Sequence, residues 1–335
     1  MTHFRQGEHG NRLARLTFCL CCVFCVFFLT GAKPLSSLEI RFGRAFLVLH
    51  EKTGRFSLYG LNEGQERYES FLSDKDPKTS FIEISVNGRT HRLGESSTFK
   101  LSADSAARSP AFVFESKTLR VRQEFTFIQT SGSTDANGVQ MTIRVTNLQS
   151  RDVTIGARVL LNTRPHGEAV PFFFNDQGVG VETVIAGGID SNWTTRDGQF
   201  SVMGSIKAVS GENPDYLHFA DWKLLSKLGW ASSGGRERNK RVTAIVNPAV
   251  CYYYNPKPLP ANGEINYTVL LAAGDPAGFT SVRVPEIDIE GDLKLLAASL
   301  RLLEQHINGE IEISNAELAG IQETINRIKK RYNLP

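Results

Sequence analysis

Apolar and polar positions along this chain keep two periods, one after the other. From about Leu38 to Val284 they alternate in short runs separated by turn residues. A period of two puts every second side chain on one face, so each run predicts a half-buried strand. "AFLVLHEKTGRFSLYG" (45–60) reads as two strands about a Lys-Thr-Gly turn, and "SFIEISVNGRTHRLG" (80–94) as a hairpin about Asn87-Gly88. Both residues of that dipeptide tolerate positive φ, as a tight hairpin turn requires. "AFVFESKTLRVRQEFTFIQT" (111–130) alternates through Leu119, Val121, Phe125 and Phe127. "GVQMTIRVTNL" (138–148) and "VTIGARVLLNT" (153–163) read as a further hairpin about the 147–150 turn, in the middle of a sheet. "RVTAIVN" (241–247), "AVCYYYN" (249–255) and "INYTVLLAAG" (265–274) add later strands. Closely spaced strands with few helical periods predict a mainly β protein, a large antiparallel sandwich or barrel.

After "VRVPEIDIEGD" the period lengthens to about 3.5. Ile289, Leu293, Leu296, Leu300, Leu303 and Ile307 make one helical stripe, and Asn308-Gly309 ends it. Ser314 with Glu317 three residues on forms a capping box for a second helix, whose stripe is Leu318, Ile321, Ile325, Ile328 and Tyr332. Arg327, Lys329, Lys330 and Arg331 near its end complement the helix dipole. The expected unit is an antiparallel α-helical hairpin, residues 286–335. If the first stripe zips onto the second helix, Leu295 and Leu302 need another surface, either the sandwich or a partner protein.

The N-terminus changes the picture. Arg5, Arg12 and Arg15 precede the apolar run "LTFCLCCVFCVFFL" (16–29), which ends at Thr30-Gly31-Ala32. Residues 1–32 therefore read as a secretory signal, or as an uncleaved anchor attaching the chain to a membrane through 16–29. Four of the five cysteines fall in that run, leaving Cys251 unable to form an internal disulfide. Composition is that of a folded globular protein, 41% hydrophobic and 22% charged, and 38 basic against 35 acidic residues leave a net charge of +3. That balance gives no basic footprint for nucleic acid.

"VTNLQSRDVTIGARVLLNT" resembles the central segment of the β-supersandwich proteins, the galactose-mutarotase-like fold also found in accessory domains of carbohydrate enzymes. "FADWKLL" (219–225), "NPAVCYYYNPKPLPANGE" (247–264) and the closing strand "YTVLLAAGD" follow in the same order, so the resemblance covers residues 38–285. It implies a β-supersandwich. Relatives of this kind often carry Asp where this chain has Asn162, followed by a polar Gly loop; here the loop is "TRPHGE". The sandwich-plus-hairpin layout also resembles exported proteins of spirochaetes, which implies a place in a periplasmic flagellar or other envelope assembly.

Candidate chemistry is sparse. Acid–base work on a sugar needs a carboxylate and a histidine facing one ligand. His166 (with Glu168 beside it), Glu182, and Asp221 with His218 are the candidates. Trp193, Trp222, Trp230 and Tyr252 to Tyr254 form either a sugar-stacking surface or core. The loop "SSGGRERNKR" (232–241) could bring Trp230, Arg236 and Arg238 to an anionic ligand. Asn192-Trp193-Thr194 and Asn266-Tyr267-Thr268 are glycosylation sequons if the source secretes through an endoplasmic reticulum. No phosphate loop, metal-ligand spacing or serine elbow occurs, so no cofactor or metal is expected. The reading is a non-catalytic envelope protein that binds another envelope component through its hairpin. The alternative is a carbohydrate-binding or carbohydrate-active protein with a glycan as its partner.

Overall fold

Alternation becomes antiparallel sheet over most of the chain. A computed structural model describes residues 37–62, 64–73, 78–104, 109–163, 171–198, 200–229, 243–275, 277–284 and 289–332. Among these, three sheets form, and every ladder is antiparallel. The smallest runs β1 (Ser37–Phe42), β2 (Ala45–His50), β3 (Arg55–Asn62), β4 (Arg67–Ser70). The six-stranded sheet runs β14 (Thr183–Ala186), β17 (Tyr216–Asp221), β18 (Pro248–Leu259), β11 (Val153–Asn162), β5 (Phe81–Val86), β6 (Arg89–Arg92). The largest runs β13 (Gln177–Val179), β12 (Phe172–Phe174), β15 (Asn192–Asp197), β16 (Phe200–Ser205), β19 (Glu264–Ala273), β10 (Gly138–Asn147), β9 (Leu119–Thr130), β8 (Ala111–Glu115), β7 (Lys100–Asp104), with β20 (Val282–Arg283) beside β9. The protein is a mainly antiparallel β-sandwich followed by a C-terminal helical hairpin.

The Asn87-Gly88 turn forms as expected: both residues have positive φ, and Val86 pairs directly with Arg89. The expected pairing of 138–148 with 153–163 does not form. β10 lies between β9 and β19 in the large sheet, and β11 lies between β5 and β18 in the six-stranded one. The link 148–152 is an arch between layers. Asn147 holds it, donating to the carbonyls of Arg151 and Pro260 at 2.8 and 2.9 Å and accepting from the Gln149 amide at 3.0 Å. Alternation cannot separate the two cases, because a hairpin and an arch both turn one apolar face inward.

One core fills the space between layers, with Leu47 and Leu58, Phe125, Met141 and Ile143, and Val159 and Tyr252 drawn from the three sheets. Each such side chain contributes roughly 1.5–3 kcal/mol of transfer free energy. Phe172, Trp193 and Phe219 meet edge-on across it at 5.1 to 6.3 Å, tying β12 and β15 to β17. The indole crosses the backbone of β16 at Gly204, where an added Cβ would sit 2.3 Å from the ring. A smaller apolar cluster covers the outer face of the six-stranded sheet: Leu160, Cys251 and Tyr253 pack with Leu225, the last residue of the short helix α1 (Trp222–Leu225), and with Leu228 just past it. Of "RVTAIVN", residues 243–247 form no strand; Ala244 makes one isolated bridge, to Val181, and Val246 is exposed.

The hairpin consists of α2 (Ile289–Ile307) and α3 (Asn315–Tyr332). Gly309 ends α2 with positive φ, and Glu310 N–H reaches back to the Gln305 carbonyl at 2.9 Å. Ser314 and Glu317 form the expected capping box: the Ser314 amide and hydroxyl donate to Glu317 at 2.8 and 2.7 Å. The stripe behaves differently from expectation. Leu293, Leu300 and Ile307 are 60%, 63% and 82% exposed, while Asp292 and Ser299 are buried. Leu295 and Leu302 instead face the second helix across a groove of about 350 Å³ that Ile313, Gly320 and Ile321 also line. α3 packs against β1 as well as α2, and Ile328 is buried. No described helix is long and apolar enough to cross a membrane; residues 16–29 lie outside the described residues.

Candidate functional site

The outer face of the large sheet carries a cleft of about 690 Å³ at its β12–β15–β16 end. Strand alternation builds it. Phe172, Trp193, Phe200 and Val202 point into the core, so Phe173, Asn192, Thr194, Arg196 and Ser201 point outward and line the cleft. The β12–β13 connection is the two-residue turn Asn175-Asp176, both with positive φ, and Phe174 pairs with Gln177 across it. Asn and Asp adopt that conformation at little cost, so the turn sets an amide and a carboxylate on the rim. Ser191 Oγ lies 2.6 Å from Asn175 Oδ1. The Arg196 guanidinium lies over the half-buried Phe173 ring at 5.2 Å and has no ion pair among the described residues.

Asp275 closes the far side of the cleft. Its Oδ2 accepts from Thr130 Oγ1 at 2.6 Å and the Gly132 amide at 2.7 Å, and Oδ1 accepts from the Ala277 amide at 2.8 Å. Partial burial opposes its ionisation, but these three hydrogen bonds outweigh burial and hold its carboxyl below the usual carboxylate range. It is an ionised latch between the tip of the β9–β10 hairpin and the turn after β19, not a proton donor near neutral pH.

The opposite outer face, on the six-stranded sheet, holds the expected histidine and carboxylate candidates. His218 Nε2 lies 2.9 Å from Glu182 Oε1. Burial pushes the His218 pKa down and Glu182 pulls it up, with burial the stronger, so the imidazole is neutral at neutral pH. Asp221, the third candidate, caps α1: its oxygens accept from the Lys223 and Asn247 amides at 2.9 and 3.0 Å. That carboxylate holds backbone. His218 pairs across the ladder with Cys251, whose thiol burial pushes up to about 12. It is a neutral, apolar-packed thiol. Beside it, Arg158 is buried with its Nε 3.2 Å from Glu83 and its Nη2 3.4 Å from the Leu225 carbonyl. Tyr253 stacks on Tyr216 at 4.5 Å.

The candidates therefore divide. Glu182 meets His218 on one face, Asp221 is committed to a helix cap, and His166 and Glu168 lie outside the described residues, as do Trp230, Arg236 and Arg238. Trp193 is core, donating to the Tyr252 hydroxyl at 2.8 Å. Tyr252 and Tyr254 join it there, and Tyr253 points to the other face but is equally buried. Trp222 is tied to the Thr79 carbonyl at 2.7 Å. The Trp193 ring and the three tyrosine rings are buried and so closed to a sugar, while Trp222 is half-buried. Sequence reasoning missed Phe173, Asn175, Asp176, Arg196 and Asp275. The available signal was Asn175-Asp176 after "FFF", a turn dipeptide on an aromatic strand. Among the described residues no group of three His, Cys, Asp or Glu could hold a metal ion.

No family model matches the chain, and no curated protein matches it. Among solved structures it is similar to a galactose mutarotase related enzyme from Lactobacillus acidophilus, at 10% identity and TM-score 0.44, covering 71% of this chain and 97% of that one. It is also similar to a galactose mutarotase-like protein from Lactobacillus casei ATCC 334, at 9% identity and TM-score 0.41, covering 71% and 100%. A polysaccharide lyase is similar at 11% identity and TM-score 0.39, covering 72% of this chain and 34% of the lyase.

Proposed function

We propose that this protein binds a saccharide in the cleft of the large sheet. The observation that carries the reading is the lining itself: an open cleft in the size range of small-molecule sites, with amide, hydroxyl, carboxylate and guanidinium groups around one ring. A sugar offers hydroxyls that both donate and accept, and an apolar face for the ring. We read the cleft as a binding rather than a catalytic site, because no histidine is among the described residues that line it, Asp275 is engaged by three hydrogen bonds and the histidine–glutamate pair lies on the other side of the sandwich. Saturation-transfer NMR against a panel of neutral and acidic oligosaccharides tests this. Binding that Phe173→Ala abolishes supports it, and binding unchanged by that substitution places the ligand elsewhere.

A second reading concerns the hairpin. Leu293, Leu300 and Ile307 repeat every seven residues and are exposed, which is the spacing of a helix-to-helix seam. We propose that α2 docks an amphipathic helix of another envelope component, in an exported protein that residues 1–32 deliver or anchor. Crosslinking in native envelope, with Leu300→Asp as control, tests it. Loss of one specific crosslinked protein in the variant supports the reading, and an unchanged pattern removes it.

A further inference from the structure

The chemistry of the cleft narrows its ligand, and we infer, resting on the saccharide reading above, that it recognises an acidic sugar, a uronate-type residue whose carboxylate meets Arg196. Three observations carry this. Arg196 lies over Phe173 and is exposed, without an ion pair among the described residues, whereas Arg122 elsewhere on the large sheet and Arg92 and Arg158 on the six-stranded sheet each hold a carboxylate within 3.2 Å. A guanidinium stacked on a ring keeps its edge free, and that edge is a planar fork of donors matching a carboxylate.

The second observation is what surrounds it. Asp275 has both oxygens filled by Thr130, Gly132 and Ala277. Asp176, on the left-handed rim turn, makes no hydrogen bond among the described residues. Among the described residues the cleft thus offers one free cation and one free anion. A bare inorganic anion satisfies the first and is repelled by the second. A uronate satisfies both, placing its carboxylate on Arg196 and donating ring hydroxyls to Asp176. The third is size: about 690 Å³ holds more than a monosaccharide, so an internal or terminal residue of an oligosaccharide fits.

The experiment uses the full chain and four probes in titration calorimetry: trigalacturonate, its methyl ester, a neutral galactose trisaccharide and inorganic sulfate. Trigalacturonate is expected to bind roughly ten-fold more tightly than its methyl ester. Arg196→Ala should shrink the acid-to-ester ratio to near one, whatever it does to ester binding itself, and Arg196→Lys should restore only part of the ratio. Thermal unfolding confirms that the variants are folded, as expected for an exposed side chain. Equal binding of acid and ester leaves the saccharide reading standing and overturns the acidic one. Binding of none of the sugars overturns both. Sulfate competing as well as trigalacturonate also overturns the inference, since the site would then be a generic anion site.

Discussion

Two arginines sit on opposite outer faces of the same sandwich, and their surroundings differ. Arg158, on β11, is buried against Glu83, with Phe81 and Tyr253 rings nearby and α1 above it. Arg196, on β15, is exposed, contacts the Phe173 ring, has no ion pair among the described residues, and borders an open cleft. Both follow from strand alternation, which puts a charged residue on the outer face in each case. What separates them is the layer above. Where chain returns to cover the sheet, an arginine must be neutralised, because an unpaired buried charge is costly. Where nothing covers it, the same side chain stays available to a ligand. The lesson extends to carboxylates: Asp221 and Asp275 are spent on backbone amides, and Asp176 is not.

The contrast is broken most severely at Arg158. Arg158→Ala leaves Glu83 in a poorly solvated site with only Arg92, and should cost about 3–5 kcal/mol of stability in chemical denaturation. Arg196→Ala should change stability by less than about 0.5 kcal/mol. Comparable losses would mean that Arg196 is structural too.

Asp275 gives the next effect. Its folded pKa is depressed, so its contribution is present above the unfolded carboxylate pKa and is lost as pH falls through the lower folded value. Wild type should therefore shed a stability increment below about pH 4 that Asp275→Asn lacks. At neutral pH the variant should be weaker by about 1 kcal/mol, a figure discounted for solvent exposure. Parallel pH curves would show that the latch contributes nothing.

His218 gives the smallest effect. Its folded pKa is lowered, so the unfolded chain takes up the proton first. Stability is full above the ordinary histidine pKa of about 6.5 and declines as pH falls through it, levelling off once the folded pKa is passed. His218→Gln should flatten that slope between neutral and mildly acidic pH, measured by thermal melts. A slope of the opposite sign would mean that Glu182, rather than burial, governs the pair.

The mainly β class, the Asn87-Gly88 hairpin, the capping box and the helical hairpin were legible because local rules decide them. Which strands pair was not. Met141 to Val145 and Val153 to Leu161 carry the same inward pattern in an arch as in a hairpin, and the arch rests on long-range contacts such as those of Asn147 and Asp152 with the 259–261 segment. The helical stripe misled for a related reason: Leu293 and Leu300 have core spacing, yet Asp292 and Ser299 take the buried positions. The histidine–glutamate pair was half legible, since both residues were candidates but their meeting depends on β14 pairing with β17. The cleft was nearly illegible. Phe173, Arg196 and Asp275 are far apart in sequence and ordinary in type, and only the sheet order assembles them.

A two-dimensional NMR titration of the isotope-labelled protein with the oligosaccharide that binds best is the most direct test of the central claim. The account predicts shift changes concentrated at Phe173, Asn192, Arg196 and Asp275, with the Glu182 and His218 signals unmoved. Changes concentrated around Glu182, His218 and Tyr253 instead, or none with any saccharide, would contradict it.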